Sequence, residues 1–258
     1  MNNLRNIILD IFFPRHCLGC NVVLEDESPF YICRHCFKNI SFTSGFICAF
    51  CNSPTKNGQT CSFCLKNSYL DRLLIATSYE NKLIEKTIKT IKYRFVKLLS
   101  RDVSALMIRY LEKKVSWLKN KKNIIVIPVP LHRKRLNWRG FNQAELIADQ
   151  ISLFFNWPTI SNHLVRLANH KPQTEINDRK SRIENVRGIF HYQKPAYKKL
   201  TPTSLNNTRP TIKDKIILLI DDVSTTGSTL NDCARALKIA GAKEIIGFVF
   251  ARGKLNKK

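Results

Sequence analysis

Ile216-Ile217-Leu218-Leu219-Ile220-Asp221-Asp222-Val223-Ser224-Thr225-Thr226-Gly227-Ser228-Thr229 decides the fold. Five consecutive aliphatics predict a strand buried on both faces, as in a parallel sheet. Two carboxylates follow at its carboxyl end, then small hydroxyl residues around one glycine. The periodicity next predicts a helix over 230–240, with Leu230, Cys233, Ala234, Leu237 and Ala240 on one face and Gly241 as its stop. A strand, a small-residue turn and a helix start expose several backbone N–H groups to one anion. Ser224, Thr225, Thr226, Ser228 and Thr229 can add hydroxyl donors around Gly227. The turn has no lysine, which excludes a Walker A loop.

Two acids beside a phosphate cradle call for a ligand with hydroxyls as well as phosphate. Carboxylates accept hydrogen bonds from vicinal hydroxyls and help hold a hydrated divalent cation. A ribose 5-phosphate meets both demands. The stretch resembles the phosphoribosyl-pyrophosphate (PRPP) motif of type I phosphoribosyltransferases. That resemblance implies an α/β, Rossmann-like parallel-sheet domain, with Asp221 and Asp222 as the catalytic pair at the ribose, residues 224–229 around its phosphate, and Mg2+ arriving with PRPP. The competing reading is an ordinary strand–turn–helix with a solvated acid pair. Adjacent acids in register with a phosphate-type loop count against it.

A chain of 258 residues has room for one α/β domain of roughly 150–190 residues plus a small module. The expected division is a Cys-rich module over 1–68 and the α/β domain over 69–258. No apolar run approaches the ~18 residues of a membrane span. Residues 4–13 are apolar but contain Arg5 and Asp10 and lack a small-residue cleavage site. They read as a short packed helix, not a signal peptide, and the expected location is cytoplasmic. Net charge is +24, unevenly placed: residues 1–70 hold six Lys/Arg against four Asp/Glu, and residues 71–258 hold 37 against 15. Such an excess points to a polyanion, nucleic acid first. A compositional bias toward lysine explains it equally well, and a membrane surface fits less, since no basic helix has a clean lipid-facing stripe.

Eight of the nine cysteines form four Cys-x-x-Cys pairs: Cys17/Cys20, Cys33/Cys36, Cys48/Cys51 and Cys61/Cys64. Each pair offers two thiolates to one tetrahedral ion, so the four pairs make two four-thiolate sites, with structural zinc as the default metal. Sequence-order pairing suits zinc ribbons, and a cross-braced pairing stays open. Nothing indicates secretion, which disfavours disulfides. A module with so few aliphatics needs the metal to fold. Phe30, Tyr31, Phe37, Phe42, Phe46, Phe50 and Phe63 lie among the cysteines, as a miniature core more readily than as base-stacking platforms.

Further along, a strand is expected over 73–79. A helix follows with Leu83, Ile84, Thr87, Ile88 and Ile91 inward and Lys82, Lys86, Lys89 and Lys92 on the other side. A second helix is expected over 97–114 and a buried strand over 123–129. The turn after Pro130 carries Arg133, Lys134, Arg135 and Arg139. Asn142 with Glu145 is a capping-box pattern for a helix over 143–155 that would bury Ala144, Ile147, Ala148, Ile151, Phe154 and Phe155. Cations at the carboxyl end of a parallel strand face the same crevice as the acid pair. The turn therefore resembles a pyrophosphate loop.

Pro128-Val129-Pro130 with Arg139-Gly140-Phe141-Asn142-Gln143, and Lys171-Pro172-Gln173-Thr174 with Arg179, Arg182, Asn185, Val186 and Phe190, resemble the ComF family of bacterial competence proteins. So do four Cys-x-x-Cys pairs ahead of a phosphoribosyltransferase-like domain. The resemblance implies action in natural transformation on single-stranded DNA, with DNA-uptake or recombination proteins as partners. It also implies a loop over 170–187 closing on PRPP, with Gln173 and Arg179 as ligand contacts. Residues 191–213 depart from the family pattern as a longer, basic, mobile insertion. If the site turns over, ribose transfers from PRPP to an acceptor, and no acceptor pocket is readable. A DNA-binding module that uses PRPP as a ligand and an active phosphoribosyltransferase are the two readings.

Overall fold

The computed structural model describes residues 15–25, 28–94, 96–166, 188–193 and 211–253. The expected N-terminal helix, Gln173, Arg179 and most of the 191–213 insertion lie outside them. Four parallel strands form the central sheet: β1 (Arg72–Ser78), β2 (Ile124–Pro128), β5 (Ile216–Ser224) and β6 (Glu244–Arg252), in the order β1-β6-β5-β2. Strands β3 (Leu164–Arg166) and β4 (Phe190–Tyr192) form a separate antiparallel pair. The aliphatic run of β5 alternates sides as a doubly covered strand must. Ile216, Leu218 and Ile220 face one core, and Ile217 and Leu219 face the other.

The first core is closed by α3 (Lys82–Tyr93), α4 (Leu99–Lys114) and α7 (Gln143–Phe155), which bury Ile84, Ile88, Leu106, Met107 and Ile147. The second is closed by α8 (Ser228–Ile239) and the β3–β4 pair, with Leu230, Cys233, Leu237 and Phe190 inside. Cys233 is a fully buried core residue, as its helical position suggests. The basic segment after Pro130 differs from the expected turn. It forms a short helix, α6 (Arg133–Arg139), whose first turn is capped by His132 Nδ1 accepting from Lys134 N at 3.2 Å. Gly140 ends it in the left-handed region at φ 73°, where a glycine is favoured. Phe154, expected inside, is 55% exposed, because the helix face drifts off the core in its last turn. Phe155 is partly buried and stacks on Trp157.

The cysteines group in sequence order. The Sγ atoms of Cys17, Cys20, Cys33 and Cys36 lie within 4.8 Å of one another, as do those of Cys48, Cys51, Cys61 and Cys64. The Sγ atoms of Cys20 and Cys33 are 3.7 Å apart and those of Cys51 and Cys61 3.6 Å, close to the ~3.8 Å edge of a tetrahedron with Zn–S bonds of ~2.3 Å. Helices α1 (Arg34–Lys38) and α2 (Ser62–Leu65) start at Cys33 and Cys61, the helix N-caps.

This module straddles the sheet. Ile32 and Ile40 enter the first core, and Ala49 enters the second. Between them, Thr43 runs along the edge strand β1, its amide donating to Ala76 O at 3.1 Å and its hydroxyl to Ile75 O. That covers an edge which would otherwise present unpaired backbone. Phe37 and Phe42 pack against the core under the Arg109 guanidinium, Phe50 lies against the second core, and Phe63 is 80% exposed. Asp102, fully buried on α4, clamps the module by accepting from the amides of Tyr31 and Ile32, each at 3.0 Å.

Chelating the metal from the intact chain is expected to lower its thermal midpoint together with the loss of two zinc ions per chain by elemental analysis. Asp102→Ala leaves one buried and one half-buried amide without an acceptor and is expected to destabilise the fold by about 3 kcal/mol, read from the urea midpoint, with Asp102→Asn recovering part of it.

Candidate functional site

At the carboxyl ends of β2 and β5 a cleft of about 350 Å³ opens, lined by Asp221, Asp222, Arg135, Arg139, Thr229, Lys92, Gln143 and Arg166, with Tyr93 and Trp138 at its rim. This is where ligands sit in open parallel sheets. These side chains converge from several elements. β5 carries the acid pair past its aliphatic run, and α6 supplies Arg135 and Arg139. The start of α7 supplies Gln143, and the last turn of α3 supplies Lys92. Asn142 fixes the start of α7, accepting from Ala144 N at 3.1 Å while its Nδ2 donates to Val129 O at 3.1 Å.

Asp222 is the electrostatic centre. Lys92 Nζ lies 3.0 Å from its Oδ2, and Gln143 Nε2 donates to the same oxygen at 3.2 Å. Burial, and then the negative charge of Asp222, push the Asp221 carboxyl up to about 8. A carboxyl raised above its unfolded value binds a proton on folding. Its contribution to stability is therefore complete below pH ~4 and is lost as the pH rises through about 8. Arg139 is 8% exposed, and burial pulls its guanidinium below the usual range against the opposing pull of Asp222. Arg166 shifts the same way, by burial and then by the charge of Arg135. Two buried polar atoms of the lining, Arg139 Nε and Gln143 Oε1, have no hydrogen-bond partner within the protein. A guanidinium N–H and an amide oxygen left so are a donor and an acceptor held for a polar ligand.

Of the hydroxyl turn, Thr229 lines the cleft and residues 224–228 do not. Ser224 and Thr226 are buried, Thr225 is exposed, and Thr226 Oγ1 shares a 2.6 Å hydrogen bond with Ser228 Oγ. Gly227 caps α8 at φ 78°, and a Cβ there would stand 3.4 Å from Ala49 O and from the Phe50 ring. The back of the turn is thus the second zinc knuckle, held further by Arg252 Nη2 donating to Ala49 O at 2.8 Å. Of the expected cations, Arg135 and Arg139 line the cleft and Arg133 does not. Gln173 and Arg179 fall outside the described residues. Asp232, buried on α8, accepts from the amides of Gly188, Ile189 and Phe190 at 2.8, 2.8 and 3.0 Å, and fixes β4 beside the site.

The sequence sets Lys92 with Lys82, Lys86 and Lys89 on the side of the helix away from its apolar stripe, as a line that could track a phosphate backbone or simply face water. The spacing of Lys92 four residues after Ile88 puts it beside the buried stripe, a signal that was available. Arg166 carried no such signal, since its place depends on the β3–β4 pair.

The two cysteine clusters suit zinc by ligand type, number and spacing. Two adjacent carboxylates beside hydroxyls are a donor set that fits a hydrated divalent cation, with Asp222 Oδ2 already taken by Lys92 and Gln143. No helix among the described residues is long and apolar enough to cross a membrane.

Residues 8–65 match the double zinc ribbon domain family and residues 170–257 the phosphoribosyl transferase domain family. Competence protein F of Haemophilus influenzae is 28% identical over 93% of this chain and 98% of its own. Competence protein ComFC of Bacillus subtilis is 26% identical over 88% of this chain and 85% of its own. DNA utilization protein YhgH of Escherichia coli O157:H7 is 27% identical over 46% of this chain and 45% of its own. The chain therefore carries a double zinc ribbon and a phosphoribosyl transferase domain, and is a homologue of the ComF-type competence proteins.

Proposed function

We propose that the chain acts in natural transformation in the cytoplasm, holding PRPP in the cleft at the ends of β2 and β5 and binding single-stranded DNA on its basic surface. The observation that carries the PRPP reading is the shared cleft. An acid pair faces a buried arginine and amide that have polar atoms to spare. Asp221 and Asp222 would accept from the ribose 2′ and 3′ hydroxyls, and the turn over 224–229 would hold the 5-phosphate. Arg135, Arg139 and Arg166 would face the pyrophosphate. Mg2+ bound to that group would neutralise part of its charge.

The single-strand reading is supported by the charge, +24 in all, and by the relatives named for competence and DNA utilization. Active transfer of ribose 5-phosphate is the second reading, favoured by an acid pair placed beside the cations that would stabilise a leaving pyrophosphate. Release of pyrophosphate over a panel of nucleobases, with and without DNA, separates the two.

Asp221→Asn combined with Asp222→Asn is expected to abolish PRPP binding by calorimetry, and an unchanged affinity would reject the site. Because ionised Asp221 accepts at both oxygens and with a full charge, whereas the protonated form gives up one of them to its own proton, PRPP affinity should rise with pH by at most about tenfold per unit and level off above pH 8, with proton release below it. Affinity for a thymidine oligomer should fall linearly on a log–log salt plot with a slope of about −0.7 per phosphate contacted. A flat salt response counts against the electrostatic account.

A further inference from the structure

Tyr93 ends α3 and Trp138 lies near the end of α6, so the two rings meet only because those helices converge on the cleft. Their centroids are 6.4 Å apart at an interplanar angle of 64°, with Tyr93 63% and Trp138 58% exposed. Phe63, Tyr69 and Phe154 are exposed too, but none of them lines the cleft, while Tyr110, Phe190, Phe248 and Phe250 are fully buried. Two large rings left in water at the rim of a polar cleft are a surface with a use. Lys92 and Arg135 line the same cleft, Arg94 follows Tyr93 in the chain, and Arg133 and Lys134 share the helix of Trp138; all but Lys92 are exposed, and no carboxylate occurs between residues 129 and 143.

We propose that Tyr93 and Trp138 stack one base of a single strand at the mouth of the sugar-phosphate cleft, with the surrounding cations on its flanking phosphates. Aromatic faces interleaved with cations are how proteins hold unpaired nucleic acid without reading its sequence. A ring tolerates any base, because each has a π-face, and cations on the rim suit the phosphates on either side. A free nucleobase has the same flat chemistry. The strand is the occupant the charges favour, since Arg94, Arg133 and Lys134 lie outside the cleft lining, where a lone base presents nothing to them. The inference rests on the single-strand reading above and is independent of whether PRPP binds. It gives the strand a path across the opening through which a sugar phosphate would enter, so each ligand would sense the other.

The test compares fluorescence anisotropy of a labelled thymidine oligomer with that of an abasic oligomer of equal length, at one salt concentration. The native chain should bind the thymidine oligomer about tenfold more tightly than the abasic one. Tyr93→Ala combined with Trp138→Ala should bring the two to the same affinity while leaving the abasic value unchanged. Trp138→Phe, which keeps a ring, should retain most of the preference. Equal thymidine affinity in the native chain and the double variant overturns the stacking site. So does a parallel loss on both oligomers, which would mean damage to the fold or the cation belt. Free thymine competing as well as the oligomer, base for base, overturns the strand as occupant. A native chain that binds neither oligomer removes the single-strand reading itself, and the stacking site with it.

Discussion

Two adjacent carboxylates stand at the end of a strand buried on both faces, and water alone cannot disperse their charge there. The protein answers with groups from three helices. Lys92 and Gln143 converge on one oxygen of Asp222, and Arg139 is drawn into the same buried corner. Those contacts oblige α3, α6 and α7 to end or begin at the same point in space. Pro128, Val129 and Pro130 serve that end, since β2 must stop where α6 can leave it toward the acids. Asp221 meets the constraint differently, by holding a proton. A hydroxyl-bearing ligand would find one carboxyl paired with Lys92 and its neighbour close to ionising.

Much of this was legible in the chain. β5 follows from its five aliphatics, α7 from its cap and period, and the metal sites from four Cys-x-x-Cys spacings. These are local patterns, and each carries its physics within a few residues. What escaped depends on distant elements. Asp102 reads as a surface acid on a helix until the ribbon amides of Tyr31 and Ile32 are brought to it across some seventy residues. Asp232 likewise waits for the amides of residues 188–190. The basic turn was misjudged for a related reason. His132 and Gly140 are sufficient caps for a seven-residue helix, but a dense run of cations obscures a pattern with so few apolar positions.

Buried carboxylates recur as clamps. Asp102 and Asp232 each trade hydration for two or three backbone amides, and each pins a segment with little core of its own. One holds the ribbon to α4, the other holds β4 to α8. The two charges sit on opposite faces of the sheet, so neither face is secured by apolar packing alone.

The contact of Gly227 with Ala49 and Phe50 bears on how such a chain can change over time. The bend that would cradle an anion has the second zinc knuckle for its rear wall, so that a Cβ at Gly227 would rest directly against Ala49 O and the Phe50 ring in a backbone conformation that side chains rarely adopt. A replacement at either surface has to be matched at the other. The ribbon and the sheet domain are consequently not interchangeable parts: a graft of this sheet onto a different leader would lose the wall behind the turn at Gly227.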